Sequence, residues 1–102
     1  GVGFHAASAP SHGIVPIYRL HNHTTGDYVY TASTAERTSL THAGYVNEGP
    51  VFYAPTTPAP GLYPAFRLQR GLYHRIAFGT LARNDAIAAG WHLEHAIFYA
   101  HR

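Results

Sequence analysis

The sequence predicts an α+β, β-rich fold of two pseudo-symmetric β-β-α-β repeats plus an N-terminal strand copy. Three observations predict it. First, "GVGFHAASAPSHGIVPIYRL" (residues 1–20) aligns without gaps on "GPVFYAPTTPAPGLYPAFRL" (residues 49–68), with identities at Gly1/Gly49, Phe4/Phe52, Ala6/Ala54, Pro10/Pro58, Gly13/Gly61, Pro16/Pro64, Arg19/Arg67 and Leu20/Leu68. Second, "AGYVNEGPVFYA" (residues 43–54) returns as "AGWHLEHAIFYA" (residues 89–100). Third, each copy runs through short aromatic segments, a Gly-containing turn and a capped helix in the same order. Self-similarity at a fixed offset is the mark of a repeat architecture. The second offset is two residues shorter than the first, and the turn is the expected place for the deletion, where "LHNHTTGDY" shortens to "LQRGLY".

Taken in order, residues 1–7 supply an additional copy of the third strand, so 1–12 reads as an orphan strand and linker. The first repeat spans 13–55 and the second 61–102, within one domain over 1–102. "VPIYRL" and "YPAFRL" are apolar runs with a proline near the start, which suits the first residues of a strand or a sheet edge. Asn22 and Asp27 favour a turn, and Gly26 supplies a positive φ. "DYVYTA" and "YHRIAF" follow as second strands. Ser33 stands three residues before Glu36, the spacing of a capping box, and Gly44 is placed to end that helix. In the second repeat the helix runs from Thr80 as N-cap to Gly90 as stop. "PVFYA" and "AIFYA" close the repeats, and the linkers "SAPSHG" and "PTTPAPG" are stiff with proline.

A chain of 102 residues supports one core. Aromatics make up 14% with eight tyrosines, whereas charged residues make up only 12%. All seven cations are arginine, and a scattered net charge of +2 excludes a nucleic-acid footprint. Nine histidines add positive charge below about pH 6. With no cysteine, disulfides and thiolate metal sites are excluded. Methionine is absent even at position 1, which reads as a processed product, an excised fragment or a partial chain. No segment has the length of a membrane span, and no signal peptide is legible.

The pattern of residues 15–55, "VPIYRLHNHTTGDYVYTASTAERTSLTHAGYVNEGPVFYAP", resembles the DUF5648 repeat of exported bacterial and fungal proteins. That repeat typically shows a Tyr-Arg-Leu-Tyr-Asn strand, an Asn-Thr-Gly-Asp turn, a His-Phe-Tyr-Thr strand, an Ala-Glu-Arg helix and a Gly-Tyr/Trp-x-x-Glu-Gly strand start. The matching positions are Tyr18, Arg19, Leu20, Asn22, Thr25, Gly26, Asp27, Tyr30, Thr31, Ala35, Glu36, Arg37, Gly44, Tyr45, Glu48 and Gly49. In the second copy the turn motif and Glu-Arg are lost. The resemblance implies an extracellular or cell-surface setting beside secreted hydrolases or cell-wall enzymes, and copies usually in threes. It carries over no catalytic residue.

Each candidate chemistry has a plainer structural counterpart. His21, His23 and Asp27 in "HNHTTGD" offer two imidazoles and a carboxylate for a metal, but the stretch reads better as a solvated hairpin turn, with no metal and no cofactor. Asn22-His23-Thr24 is an N-glycosylation acceptor pattern. Glu48 and Glu94 occupy equivalent positions beside Tyr45 and Trp91. Paired carboxylates raise glycoside hydrolysis, yet repeat-equivalent residues do the same structural job, so the expectation is no enzyme. Arg19 and Arg67 recur at the end of the first strand, and Arg37 and Arg83 in the helix. They read as Arg–Glu bridges, for instance Arg19 with Glu36 or Glu48, with an anion site as the alternative. No nucleophile elbow or phosphate loop is present.

The functional expectation is a non-catalytic extracellular module that binds polysaccharide or cell-wall surfaces through Tyr28, Tyr30, Tyr45 and Trp91, with adjacent Asp27 and Glu48. The alternative is a structural, self-assembling subunit, a homo-oligomer joined through the terminal strand.

Overall fold

The computed structural model describes residues 14–101. The strand expected over 1–7 lies outside the described residues. The chain forms β1 (Val15–His21), β2 (Tyr28–Thr31), α1 (Thr34–His42), β3 (Val46–Ala54), β4 (Tyr63–Arg70), β5 (Tyr73–Phe78), α2 (Thr80–Ala88) and β6 (His92–Ala100). This is a small, strand-rich α+β domain with two three-stranded sheets, ordered β2-β1-β3 and β5-β4-β6. Every pairing among the described residues is antiparallel.

The proline-bearing strands β1 and β4 are central rather than edge strands. They tolerate proline because their first residues overhang a shorter neighbour. Pro16 lies opposite Tyr53 of β3, but pairing with β2 starts only at Tyr18. Likewise β5 begins to pair at Ala65, leaving Pro64 on the β6 side alone.

The turns differ in build. In the first hairpin, Asn22 Oδ1 accepts from the N–H groups of Thr24 and Thr25 at 2.9 and 3.1 Å, an Asx turn. In the second, Arg70 pairs directly with Tyr73 across Gly71-Leu72, and Gly71 at φ 60 occupies the first central position of a type II′ turn.

Both helices end in a Schellman motif. Gly44 donates to Thr41 and Tyr45 to Leu40 in α1, while Gly90 donates to Ile87 and Trp91 to Ala86 in α2. Gly44 and Gly90 have φ of 99° and 97°, which a side chain would strain. The helix starts depart from expectation. Ser33 Oγ accepts from the Glu36 N–H at 3.1 Å, but the Glu36 carboxylate turns away from the cap to Arg67. The cap of α2 is Gly79 rather than Thr80, because Gly79 turns the chain at φ 87 while donating to Pro64.

The main core is built by both halves. Ile17 and Ala54 from the first meet Ala65, Ile97, Phe98 and Ala100 from the second, with Phe52 set edge-on to Phe98 at 5.0 Å. A satellite core of Leu68, Ala77 and Ala86 lies under α2, with Phe66 and Trp91 against it. Helix α1 buries no residue, since Thr-Ala-Glu-Arg-Thr-Ser-Leu-Thr-His offers little apolar surface.

Candidate functional site

Two register shifts in each outer strand create the polar sites. In β6, His95 lies opposite Arg67 and Leu93 opposite Leu68, so Glu94 is the extra residue between them. In β3, Pro50 lies opposite Tyr18 and Asn47 opposite Leu20, so Glu48 and Gly49 fall in the corresponding shift. A bulge re-aims its side chain, and each of these bulges turns a glutamate toward the arginine of the central strand.

Around Arg67 this produces a closed network. Its side chain is only 4% exposed. Nε donates to Glu94 at 2.6 Å, while Nη1 and Nη2 grip the two oxygens of Glu36 at 2.7 and 2.6 Å. Nη1 also donates to the Tyr30 carbonyl at 3.0 Å. Burial pulls the guanidinium pKa down, but Glu36 and Glu94 outweigh it and the net shift is upward. The Arg67 hydrogen bond holds the Glu36 carboxyl down at about 2. Glu36 and Tyr30 come from the first half and Arg67 and Glu94 from the second, so the fork ties the halves together.

Asp27 makes a second tie. It is buried at 2% exposure, and its carboxylate accepts from the His74 backbone N–H at 2.6 Å and from the Tyr45 hydroxyl at 2.6 Å. His74 Nδ1 lies 2.7 Å from Asp27 Oδ2. An ionised carboxylate only accepts, so Nδ1 carries the proton. Burial, then the bond to Asp27, pushes the Tyr45 hydroxyl up to about 12.

The counterpart of Arg67, Arg19, is differently placed. Its Nε donates to Glu48 at 2.7 Å, as Arg67 does to Glu94. Its side chain is 39% exposed, however, and among the described residues no second carboxylate meets its Nη atoms. The Tyr30 hydroxyl, then Glu48, push its pKa up. Around it, His21 stacks on Tyr28 at 4.1 Å and 4°, and the Arg19 guanidinium stands 5.6 Å from the Tyr28 ring centre. His21 Nδ1 lies 3.7 Å from Glu48 Oε2, and the His23 ring is 4.3 Å from that of His21.

The six residues expected to form one binding face therefore divide among four neighbourhoods. Tyr28 and Glu48 are brought together, with Arg19 and His21, on an exposed patch. Asp27 and Tyr45 are spent on each other and on His74, so the Asp27 carboxylate is not displayed to solvent. Tyr30 is half-buried against the main core. Trp91 packs on the satellite core with the Arg75 guanidinium 5.4 Å from its ring. The helix arginines also differ from the Arg–Glu expectation: Arg37 lies over Tyr18 at 4.3 Å and Arg83 over Phe66 at 5.0 Å.

Sequence reasoning missed His74 and the Glu36–Arg67 fork. A signal for His74 was present: the histidine of the His-Phe-Tyr-Thr strand falls on Tyr28 in the first half and on His74 in the second. The described residues hold no group of three or more His, Cys, Asp or Glu placed to bind a metal ion. No helix among them is long and apolar enough to cross a membrane. A cleft of about 350 Å³ between the halves is lined by Val15, Thr31, Ser33, His95 and Ile97 among others. Thr31 and Ser33 already serve the helix start, where Thr31 Oγ1 accepts from the Ser33 N–H at 3.0 Å.

Compared with known families, residues 1–101 match the model described as "Domain of unknown function (DUF5648)". No match was found among curated proteins or among solved structures.

Proposed function

We propose that this chain, which belongs to the DUF5648 family, is a non-catalytic module of two β-β-α-β repeats that binds polysaccharide outside the cell or at its surface. The observation that carries the reading is the exposed patch of Tyr28, His21, Arg19 and Glu48. The exposed Tyr28 ring offers apolar surface to a sugar, and the neighbouring guanidinium and carboxylate donate to and accept from hydroxyls in fixed directions. Glu48 is already turned to Arg19, so it presents an ordered oxygen rather than a freely rotating one.

The reading is tested by pulldown on a panel of insoluble polysaccharides with wild type and Tyr28→Ala. Retention of the wild type on at least one polymer, lost in the variant at unchanged melting temperature, supports it. No retention across the panel sinks it.

A second reading, assembly into larger structures, draws on the way the halves join. The turn and helix of the first half insert Asp27 and Glu36 against His74 and Arg67 of the second. A further copy would dock on the Arg19 face through its second-half turn and helix, which carry Tyr73 and Ala82 at the positions of Asp27 and Glu36. Light scattering over a hundredfold concentration range decides it: a growing mass that deletion of residues 1–7 abolishes favours assembly, and a constant monomer mass removes it.

A further inference from the structure

We infer that the Arg19 face takes a carboxylate, so that its ligand is an acidic polysaccharide carrying uronate groups. This rests on the polysaccharide reading above and names the ligand class for that same patch.

Arg67 supplies the pattern within the same molecule. A glutamate on the bulge of the outer strand holds Nε, and this fixes the plane and direction of the guanidinium. The outer edge, Nη1 and Nη2, then receives a carboxylate with one oxygen on each nitrogen. Arg19 has the first half of this arrangement, Glu48 on Nε, and among the described residues no carboxylate supplies the second. A fork held at Nε by Glu48, touched by the Tyr30 hydroxyl and met by no second carboxylate among the described residues is already oriented for a planar, two-oxygen anion.

This chain has little to offer that edge. It contains five acids: Asp27, Glu36, Glu48, Asp85 and Glu94. Four are engaged as described, and residues 1–13 contain none. Nor does a second copy repeat the pairing made inside the chain. In the repeat alignment the second half carries Tyr73 and Ala82 where the first carries Asp27 and Glu36, and the acid its helix does carry, Asp85, stands at a different position from Glu36. The acid on the Arg19 edge is therefore assigned to the ligand. The Tyr28 ring beside the fork suits the body of a sugar, and a uronate joins that body to a carboxylate in one residue.

The experiment is calorimetric titration at neutral pH and 150 mM salt, which screens weak net attraction to a chain of charge +2. The probes are polygalacturonate, its fully methyl-esterified form, a neutral glucan and poly-glutamate. Polygalacturonate is expected to bind, and the methyl ester to bind at least about tenfold more weakly, because esterification removes the anion and keeps the sugar. Arg19→Gln should lose about tenfold or more toward polygalacturonate. Arg19→Lys should fall between, since it keeps charge without the fork. Arg70→Gln removes an equal charge from the exposed end of β4 and should bind as wild type.

Equal binding of acid and ester, or polygalacturonate binding indifferent to both Arg19 variants, overturns the inference and leaves the polysaccharide reading standing. Binding to poly-glutamate matching that to polygalacturonate overturns the glycan in favour of an acidic polypeptide. Failure of every probe alongside an empty polysaccharide panel removes both. Arg19→Lys keeps the test informative should Arg19→Gln fold poorly.

Discussion

Arg67 and Arg19 sit at the same point on two central strands, and each is met at Nε by a glutamate from a bulge. One is sealed, with 4% of its side chain exposed, and the other is open at 39%. The local sequence is nearly the same, Phe-Arg-Leu against Tyr-Arg-Leu. What differs is the neighbour. The first half lays Glu36 and the Tyr30 carbonyl over Arg67, whereas nothing acidic among the described residues lies over the outer edge of Arg19. A residue's role is therefore set by what packs on it rather than by its own strand: the same side chain is a structural rivet in one half and a presented group in the other.

The comparison is most easily broken at Arg67. Arg67→Gln leaves Glu36 and Glu94 facing one another without a cation, and should destabilise the fold by about 3–5 kcal/mol in urea unfolding. That is a large share of the about 5–15 kcal/mol typical of a domain. A loss under about 1 kcal/mol would mean that the halves do not depend on the fork.

Next comes Asp27→Ala, which leaves the Tyr45 hydroxyl and two His74 donors without an acceptor. About 3 kcal/mol is expected, read as a lower denaturant midpoint. Asp27→Ala at wild-type stability would return Asp27 to the exposed role that the sequence suggested for it.

A pH series sharpens the difference further. The folded Glu36 carboxyl titrates at about 2, below its ordinary value of 4.5. Its contribution is thus complete above about pH 4.5 and is lost as pH falls toward 2. Allowing for its partly exposed carboxylate, the amount is roughly 2 kcal/mol. The stability gap between wild type and Glu36→Gln should therefore be widest at neutral pH and close across that window. A gap independent of pH would show that the charge on Glu36 does not matter.

The smallest effect belongs to Arg19→Gln. An exposed ion pair contributes less than about 1 kcal/mol, so the melting temperature should barely move. A loss equal to that of Arg67→Gln would erase the distinction between the two arginines.

Much of the fold was legible because its signals are local. Ser33 capping α1, Gly44 and Gly90 ending the helices, and the turn around Asn22 each depend on residues within one turn of chain. Glu36 shows where such reading stops. The spacing to Ser33 assigns its carboxylate to the cap, but a buried guanidinium 31 residues away is the stronger partner. Asp27 shows the same limit: beside Gly26 it reads as a solvated turn former, and only the docking of β5 reveals its burial. Of the six residues expected to bind ligand, Tyr28 and Glu48 meet on one patch because β2 and β3 flank β1. Trp91, the repeat equivalent of Tyr45, joins that expectation through its aromatic ring and the family context, and the structure places it partly buried against Leu68, Ala77 and Ala86, apart from the Tyr28 patch.

The most direct single measurement is an NMR titration of the arginine Nε–H signals with oligogalacturonate. Arg19 should shift in a saturable manner while Arg67, enclosed by Glu36 and Glu94, stays still. Movement of Arg67 with Arg19 unchanged, or no movement of either, would contradict the account of one sealed and one presented arginine.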